Sequence, residues 1–187
     1  MVFKFLDNQR ICPWWLTYSF DNPLRHLIHK PEKILADLVK PGMTVMDIGC
    51  GFGFFSIAMA RMVGFDGRVV AVDVQEKSLN ILLKRAQKER VANIVDVHLA
   101  TVDKIGYSGQ VDFILTFWMA HEVKDQPAFF KEIIAMLKPG AKYLLVEPTI
   151  HVSAAEFDAT VQNAIASGLK PVADQKVTAS RAKVFTR

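Results

Sequence analysis

Val45-Met46-Asp47-Ile48-Gly49-Cys50-Gly51-Phe52-Gly53-Phe54-Phe55-Ser56 is the stretch whose reading decides the fold. An apolar strand over residues 43–48 runs into three glycines at alternate positions. A helix starts almost at once, with Ile57, Ala58, Ala60 and Met62 along its apolar side. Glycine reaches positive φ and lets a ligand approach backbone that a Cβ would shield. A glycine turn between a strand and a helix N-terminus gathers N–H groups around a polar ligand. The order is Asp-x-Gly-x-Gly-x-Gly, whereas dinucleotide sites carry Gly-x-Gly-x-x-Gly, and Phe54 stands where the last glycine of that pattern would fall. Taken alone, such a turn fits any α/β domain, so the flanking chain has to decide.

Upstream, Pro31 opens a helix with Ile34, Leu35, Leu38 and Val39 on one face, stopped by Pro41-Gly42. Downstream, Arg68-Val69-Val70-Ala71-Val72-Asp73 is short and β-branched, the pattern of a buried parallel strand. A helix over 77–90 follows, with Leu79, Leu82, Leu83 and Ala86 at helical spacing. Strands are expected over 94–99, 111–117 and 141–147, and helices over 126–137 and 154–166, the first of these closed by Lys138-Pro139-Gly140. The tail offers two last strands, about 169–177 and 182–186. Strands alternating with helices call for a parallel sheet with both faces covered. In such open sheets ligands bind beyond the strand C-termini, at the switch point. That lines up residues 49–53, Asp73, residues 100–102, residues 117–121 and Glu147 along one edge.

The 187 residues fit one domain, a core over 31–187 preceded by a cover segment over 1–30, with no repeat or linker. Apolar residues make up 51% and charged residues 22%, which excludes a disordered chain. Cys12 and Cys50 form no spacing pattern, so a reducing, cytoplasmic setting fits better than a disulfide framework. Asp7 interrupts the N-terminal apolar residues, and no run approaches the ~18 residues of a membrane span. The net charge of +4 is mild, and its densest piece, residues 84–90, reads as a solvated helix face before a nucleic-acid patch.

With Asp73 closing the second strand, 24 positions beyond Gly49, the glycine stretch resembles motif I of the class I methyltransferases that use S-adenosylmethionine (AdoMet). The apolar fourth strand and Leu137-Lys138-Pro139-Gly140 before the fifth extend the likeness over about residues 30–187. Cys12-Pro13-Trp14-Trp15 with Asp21-Asn22-Pro23-Leu24-Arg25 is similar to small methyltransferase-like proteins, and adds no substrate. The resemblance implies a Rossmann-like, doubly wound sheet of seven strands in the order 3-2-1-4-5-7-6, strand 7 antiparallel. It implies AdoMet as cofactor and S-adenosylhomocysteine as product. Asp47, Gly49, Cys50, Gly51 and Gly53 would hold the amino-acid half, with Asp47 near its ammonium. Asp73 would accept from both ribose hydroxyls, or it caps the following helix. Adenine would lie between Val74-Gln75 and the loop of Ala100, Thr101 and Val102, although Asp103 stands two positions later than the acid many relatives carry. Thr101 serves as a contact or as a turn residue. Phe117 lies at the fourth-strand end of the site.

Methyl transfer from a sulfonium needs a positioned acceptor and a dry site, and a base only if the acceptor loses a proton early. The candidates are His121, which lies at the mouth of the site or packs as a loop histidine, and Glu147, which points to the cavity or caps a loop; Glu122 reads as a helix-start or surface acid. Thr116-Phe117-Trp118-Met119 is not the Asn/Asp-Pro-Pro-aromatic tetrapeptide of amide and base-nitrogen methylation, and no Pro-Cys nucleophile occurs. No His/Cys/Asp cluster has metal spacing. The expectation is a methyltransferase for a small, partly apolar molecule. An RNA or protein methylase and a non-catalytic adenosyl-binding protein are the alternatives; nucleic acid is compatible with the charge but not indicated by it. Trp14, Trp15 and Tyr18 read either as a lid that touches the acceptor or as satellite core.

Overall fold

A computed structural model describes Arg25 and residues 28–187 of the chain. The expected lid residues Trp14, Trp15 and Tyr18 lie outside the described residues. Helix α1 (Pro31–Leu35), strand β1 (Thr44–Ile48), α2 (Phe54–Val63), β2 (Arg68–Asp73), α3 (Glu76–Lys88) and β3 (Val95–Leu99) follow one another. Then come β4 (Val111–Phe117), a 3-10 turn (Ala120–Glu122), α4 (Gln126–Met136), β5 (Leu137–Pro148), α5 (Ala154–Ala166), β6 (Lys170–Asp174) and β7 (Ser180–Thr186). These strands form one seven-stranded sheet in the order 3-2-1-4-5-7-6. β7 runs antiparallel to both of its neighbours, β5 and β6, and the remaining pairs are parallel.

Alternation along the strands sends side chains to two apolar layers. Val45, Val69, Phe113, Leu115, Leu144 and Val146 join Leu35, Phe55, Met59 and Leu82 on the face covered by α1, α2 and α3. Met46, Ile48, Val70, Ile114, Tyr143 and Leu145 join Phe130, Ile133, Phe157 and Val161 under α4 and α5. Local chemistry fixes the helix starts. Pro31 stands in the first turn of α1, the Asp125 side chain accepts from Ala128 N–H, and Ser153 with Glu156 closes a capping box on α5.

Several boundaries differ from the sequence expectation. The first helix is α-helical only to Leu35 and continues as a turn, with Leu38 and Val39 still buried. Leu137 is already extended (φ −75°, ψ 130°), so α4 stops at Met136 and β5 starts four residues early, Leu137 pairing with Val111. The last two strands move as well: β6 is shorter than expected and β7 begins at Ser180, opposite Pro148 of the long β5. The order reverses between β1 and β4, the switch point where the site is expected.

Candidate cofactor and acceptor site

The turn after β1 is held from below by the backbone of β2: Gly49 and Cys50 N–H both donate to Val72 C=O, at 2.8 and 3.0 Å. Two of its glycines are required sterically as well as conformationally. Gly49 has φ +73°, and a Cβ there would come within 2.7 Å of the Met119 side chain; Gly53 has φ +83°, and a Cβ would meet Leu82 of α3 at 2.7 Å. Gly51 N–H donates to Asp73 Oδ2 at 2.9 Å, and Gln75 N–H donates to Asp73 Oδ1 at 2.9 Å. Asp73 therefore braces the glycine turn and the loop after β2 together. The N-cap of α3 is Gln75, with no side-chain cap. Burial raises the Asp73 pKa against the pull of those N–H groups.

Asp47 is buried, and Ser56 Oγ donates to its Oδ2 at 2.5 Å. Burial pushes its pKa up to about 6; the Ser56 bond and the Arg25 charge pull it back, and the Asp73 charge adds to the rise. Just past the end of β3, Ala100 N–H donates to Asp73 C=O at 3.0 Å. Thr101 pairs with Lys104 across a tight turn, its Oγ1 donating to Lys104 C=O at 3.2 Å. Glu132 on α4 then accepts from Ile105 N–H at 3.2 Å and from Gly106 N–H at 2.9 Å, tying that loop to the helix layer. Nothing in the local sequence marks Glu132, because an acid on an amphipathic helix reads as surface.

At the end of β4, Trp118 adopts φ +64°, rare for a bulky residue, and its Nε1–H donates to Ser180 Oγ at 2.9 Å. The 3-10 turn that follows presents His121, whose Nδ1 lies 2.5 Å from Glu147 Oε2 while its N–H donates to Glu147 Oε1 at 3.3 Å. Glu147 is buried and His121 is 29% exposed on its side chain. Burial lowers the His121 pKa, but the Glu147 hydrogen bond and the charges of Glu147, Glu122 and Glu156 outweigh it, so the net shift is upward. Gln126 Nε2 donates to Ala120 C=O at 3.3 Å and to Thr160 Oγ1 at 3.2 Å, which anchors this turn to α5.

One cavity of about 550 Å³ joins these parts, within the size range of small-molecule sites. Asp47, Gly49, Cys50, Gly51, Asp73, Val74, Thr101, Val102, Phe117 and His121 all line it. Gly53 does not, since it packs on α3, and Glu147 stands behind His121. Arg25, unmarked as a site residue by sequence reasoning, also lines it. Its guanidinium carbon lies 4.6 Å from the Phe54 ring centre and 5.4–5.9 Å from those of Trp118, Phe117 and Phe55. Neighbouring His29, inside the segment expected as cover, is buried edge-on against Phe117 and Trp118, and its Nε2 lies 3.0 Å from Thr178 O. Among the described residues there is no group of His, Cys, Asp and Glu fit to hold a metal, and no helix long and apolar enough to cross a membrane.

The donor set fits AdoMet. A buried carboxylate at the end of β2 suits a ribose diol, a second one at the end of β1 suits an ammonium, and a glycine turn between them admits a ligand to its backbone. The sequence model of the methyltransferase-domain family matches residues 39–179. A demethylmenaquinone methyltransferase of Bacillus cereus is 26% identical over 123 residues, 66% of this chain and 52% of that protein. The chain thus spans about half the length of the curated relatives it matches. A SAM-dependent methyltransferase from Aquifex aeolicus superposes with a TM-score of 0.83 at 26% identity, covering 94% of this chain and 98% of that one. Aeropyrum pernix fibrillarin, solved with natively bound S-adenosyl-L-methionine, shares the fold at 15% identity and TM-score 0.64, over 87% and 71% of the two chains. By its matched domain, its sheet order and the chemistry of its glycine turn, the chain belongs to the class I S-adenosylmethionine-dependent methyltransferases.

Proposed function

We propose that the protein transfers the methyl group of AdoMet to a small, partly apolar acceptor that gives up a proton, with His121 as the base and Glu147 as its orienting carboxylate. The observation that carries this reading is the continuity of one cavity from Asp73, past the glycine turn, to an imidazole held from behind by a buried carboxylate. The Glu147 contact engages Nδ1, which leaves Nε2 as the ring atom available to a proton on the acceptor. AdoMet supplies an activated methyl carbon on a sulfonium, so the protein's part is to orient the acceptor, exclude water and receive the proton. Phe117, Trp118, Met119 and Phe129 give the acceptor end apolar walls, and the relative named for demethylmenaquinone methylation favours a small molecule over a polymer.

The test is label transfer from methyl-labelled AdoMet to three pools offered separately: small lipophilic phenols and quinols, RNA, and protein. Label in the first pool, lost by about 10²-fold or more in His121→Ala, is expected. Label in RNA or protein would overturn the acceptor class. Tight S-adenosylhomocysteine binding with no label anywhere would favour a binding protein without catalysis.

A further inference from the structure

We infer that Arg25 receives the carboxylate of the cofactor's methionine moiety, completing with Asp47 a two-charge clamp for a zwitterionic amino-acid group. The inference rests on reading the cavity as an AdoMet site. Arg25 and Asp47 line the same cavity, one cation and one anion, and both meet the first turn of α2, Asp47 through Ser56 and Arg25 over Phe54 and Phe55. An amino-acid group carries the opposite pair. An ammonium directed to Asp47 leaves its carboxylate beside the remaining cation, and a guanidinium fork matches a carboxylate in two hydrogen bonds.

Two further features converge on the same spot. Four rings, those of Phe54, Phe55, Phe117 and Trp118, surround the guanidinium at 4.6–5.9 Å. Their faces hold the cation and displace water from it, which strengthens its attraction for an anion. Phe54 and Phe55 are also the first residues of α2, a helix of ten residues whose N-cap, Gly53, brings no capping side chain. The guanidinium thus lies beside the N-terminal turn of that helix, whose dipole also favours an anion. Asp47 already feels Arg25, whose charge offsets part of the burial that raises its pKa.

Calorimetric titration with three ligands tests the clamp: S-adenosylhomocysteine, its decarboxylated analogue that keeps the amine, and 5′-methylthioadenosine, which lacks both groups. The wild type should bind S-adenosylhomocysteine about 10- to 100-fold more tightly than the decarboxylated analogue, the range a charge-assisted pair of hydrogen bonds carries. Arg25→Met should erase that preference, chiefly by weakening S-adenosylhomocysteine, while leaving affinity for 5′-methylthioadenosine within about twofold, and Arg25→Lys should keep part of it. Equal weakening toward all three ligands would make Arg25 a packing residue and overturn the inference. So would a wild type indifferent to the carboxylate, a result that stands even if Arg25→Met does not fold. Failure of the wild type to bind any of the three would instead remove the cofactor reading beneath it.

Discussion

Replacing Asp47 with Asn should make the fold more stable and the cofactor site worse. Asp47 is buried at the end of β1, where its pKa is pushed up to about 6 from an ordinary value of 3.8. The folded state therefore holds this proton more tightly than the unfolded chain. The penalty of ionising it is absent below the unfolded pKa, grows between that value and about 6, and is complete above that. The rise from 3.8 to about 6 corresponds to roughly 3 kcal/mol at pH 7.5 and above, and to well under 1 kcal/mol at pH 4. Asn retains an oxygen for the Ser56 hydroxyl but buries an amide N–H₂, which returns about 1–2 kcal/mol of that gain. A net 1–2 kcal/mol should raise the Tm of a chain this size by roughly 2–8 °C at pH 7.5. Thermal denaturation at pH 7.5 and pH 5 compares the variant with the wild type, and calorimetry compares their affinity for S-adenosylhomocysteine, expected to fall about tenfold or more in the variant. A Tm difference that does not grow with pH, or unchanged affinity, would refute the reasoning.

Asp73→Ala should do two things at once, because the side chain accepts from Gly51 and Gln75 N–H as well as lining the cavity. Affinity for S-adenosylhomocysteine should drop by more than ~1.4 kcal/mol, and stranding those donors should lower stability by about 1–3 kcal/mol per group; a variant that melts early yet binds normally would make Asp73 purely structural. Glu147→Gln should slow turnover and shift its pH profile. A base must be neutral, so wild-type activity should fall as pH drops through a pKa above 6.5, and the variant's falling limb should lie at lower pH; an unmoved limb would detach His121 from Glu147. Glu132→Ala should release the Ile105 and Gly106 N–H groups, weaken S-adenosylhomocysteine several-fold and quicken proteolysis near Lys104, with kcat at saturating AdoMet unchanged. A drop in that kcat would give Glu132 a different role.

The sheet was legible because β1, β2 and β4 are apolar runs with turn residues at their ends, and the class I resemblance supplied their order. The start of β5 was not, since Lys138-Pro139-Gly140 reads as a stop, whereas Leu137 is drawn into the ladder by Val111 of a strand distant in sequence. Among the residues lining the cavity, Gly49, Gly51 and Asp73 stand out by their spacing, and Asp47 by the class I resemblance. The second task of Asp73, bracing Gly51, depends on β1 and β2 lying side by side and has no local signal. The His121–Glu147 pair could have been found: β4 and β5 are parallel neighbours with Phe117 opposite Val146, so residues just past them meet. Trp118 conceals its left-handed backbone because no glycine marks it. Arg25 and Glu132 reach the cavity from the flank of the motif pattern, where periodicity says nothing of function.

The most direct measurement is a paired titration of the intact protein with S-adenosylhomocysteine and with NADH at pH 7.5. Two buried acids, a glycine turn lacking the dinucleotide spacing and a caged arginine together predict micromolar affinity for S-adenosylhomocysteine and none measurable for NADH. NADH binding in the micromolar range with S-adenosylhomocysteine silent would contradict the assignment of this cavity to AdoMet chemistry.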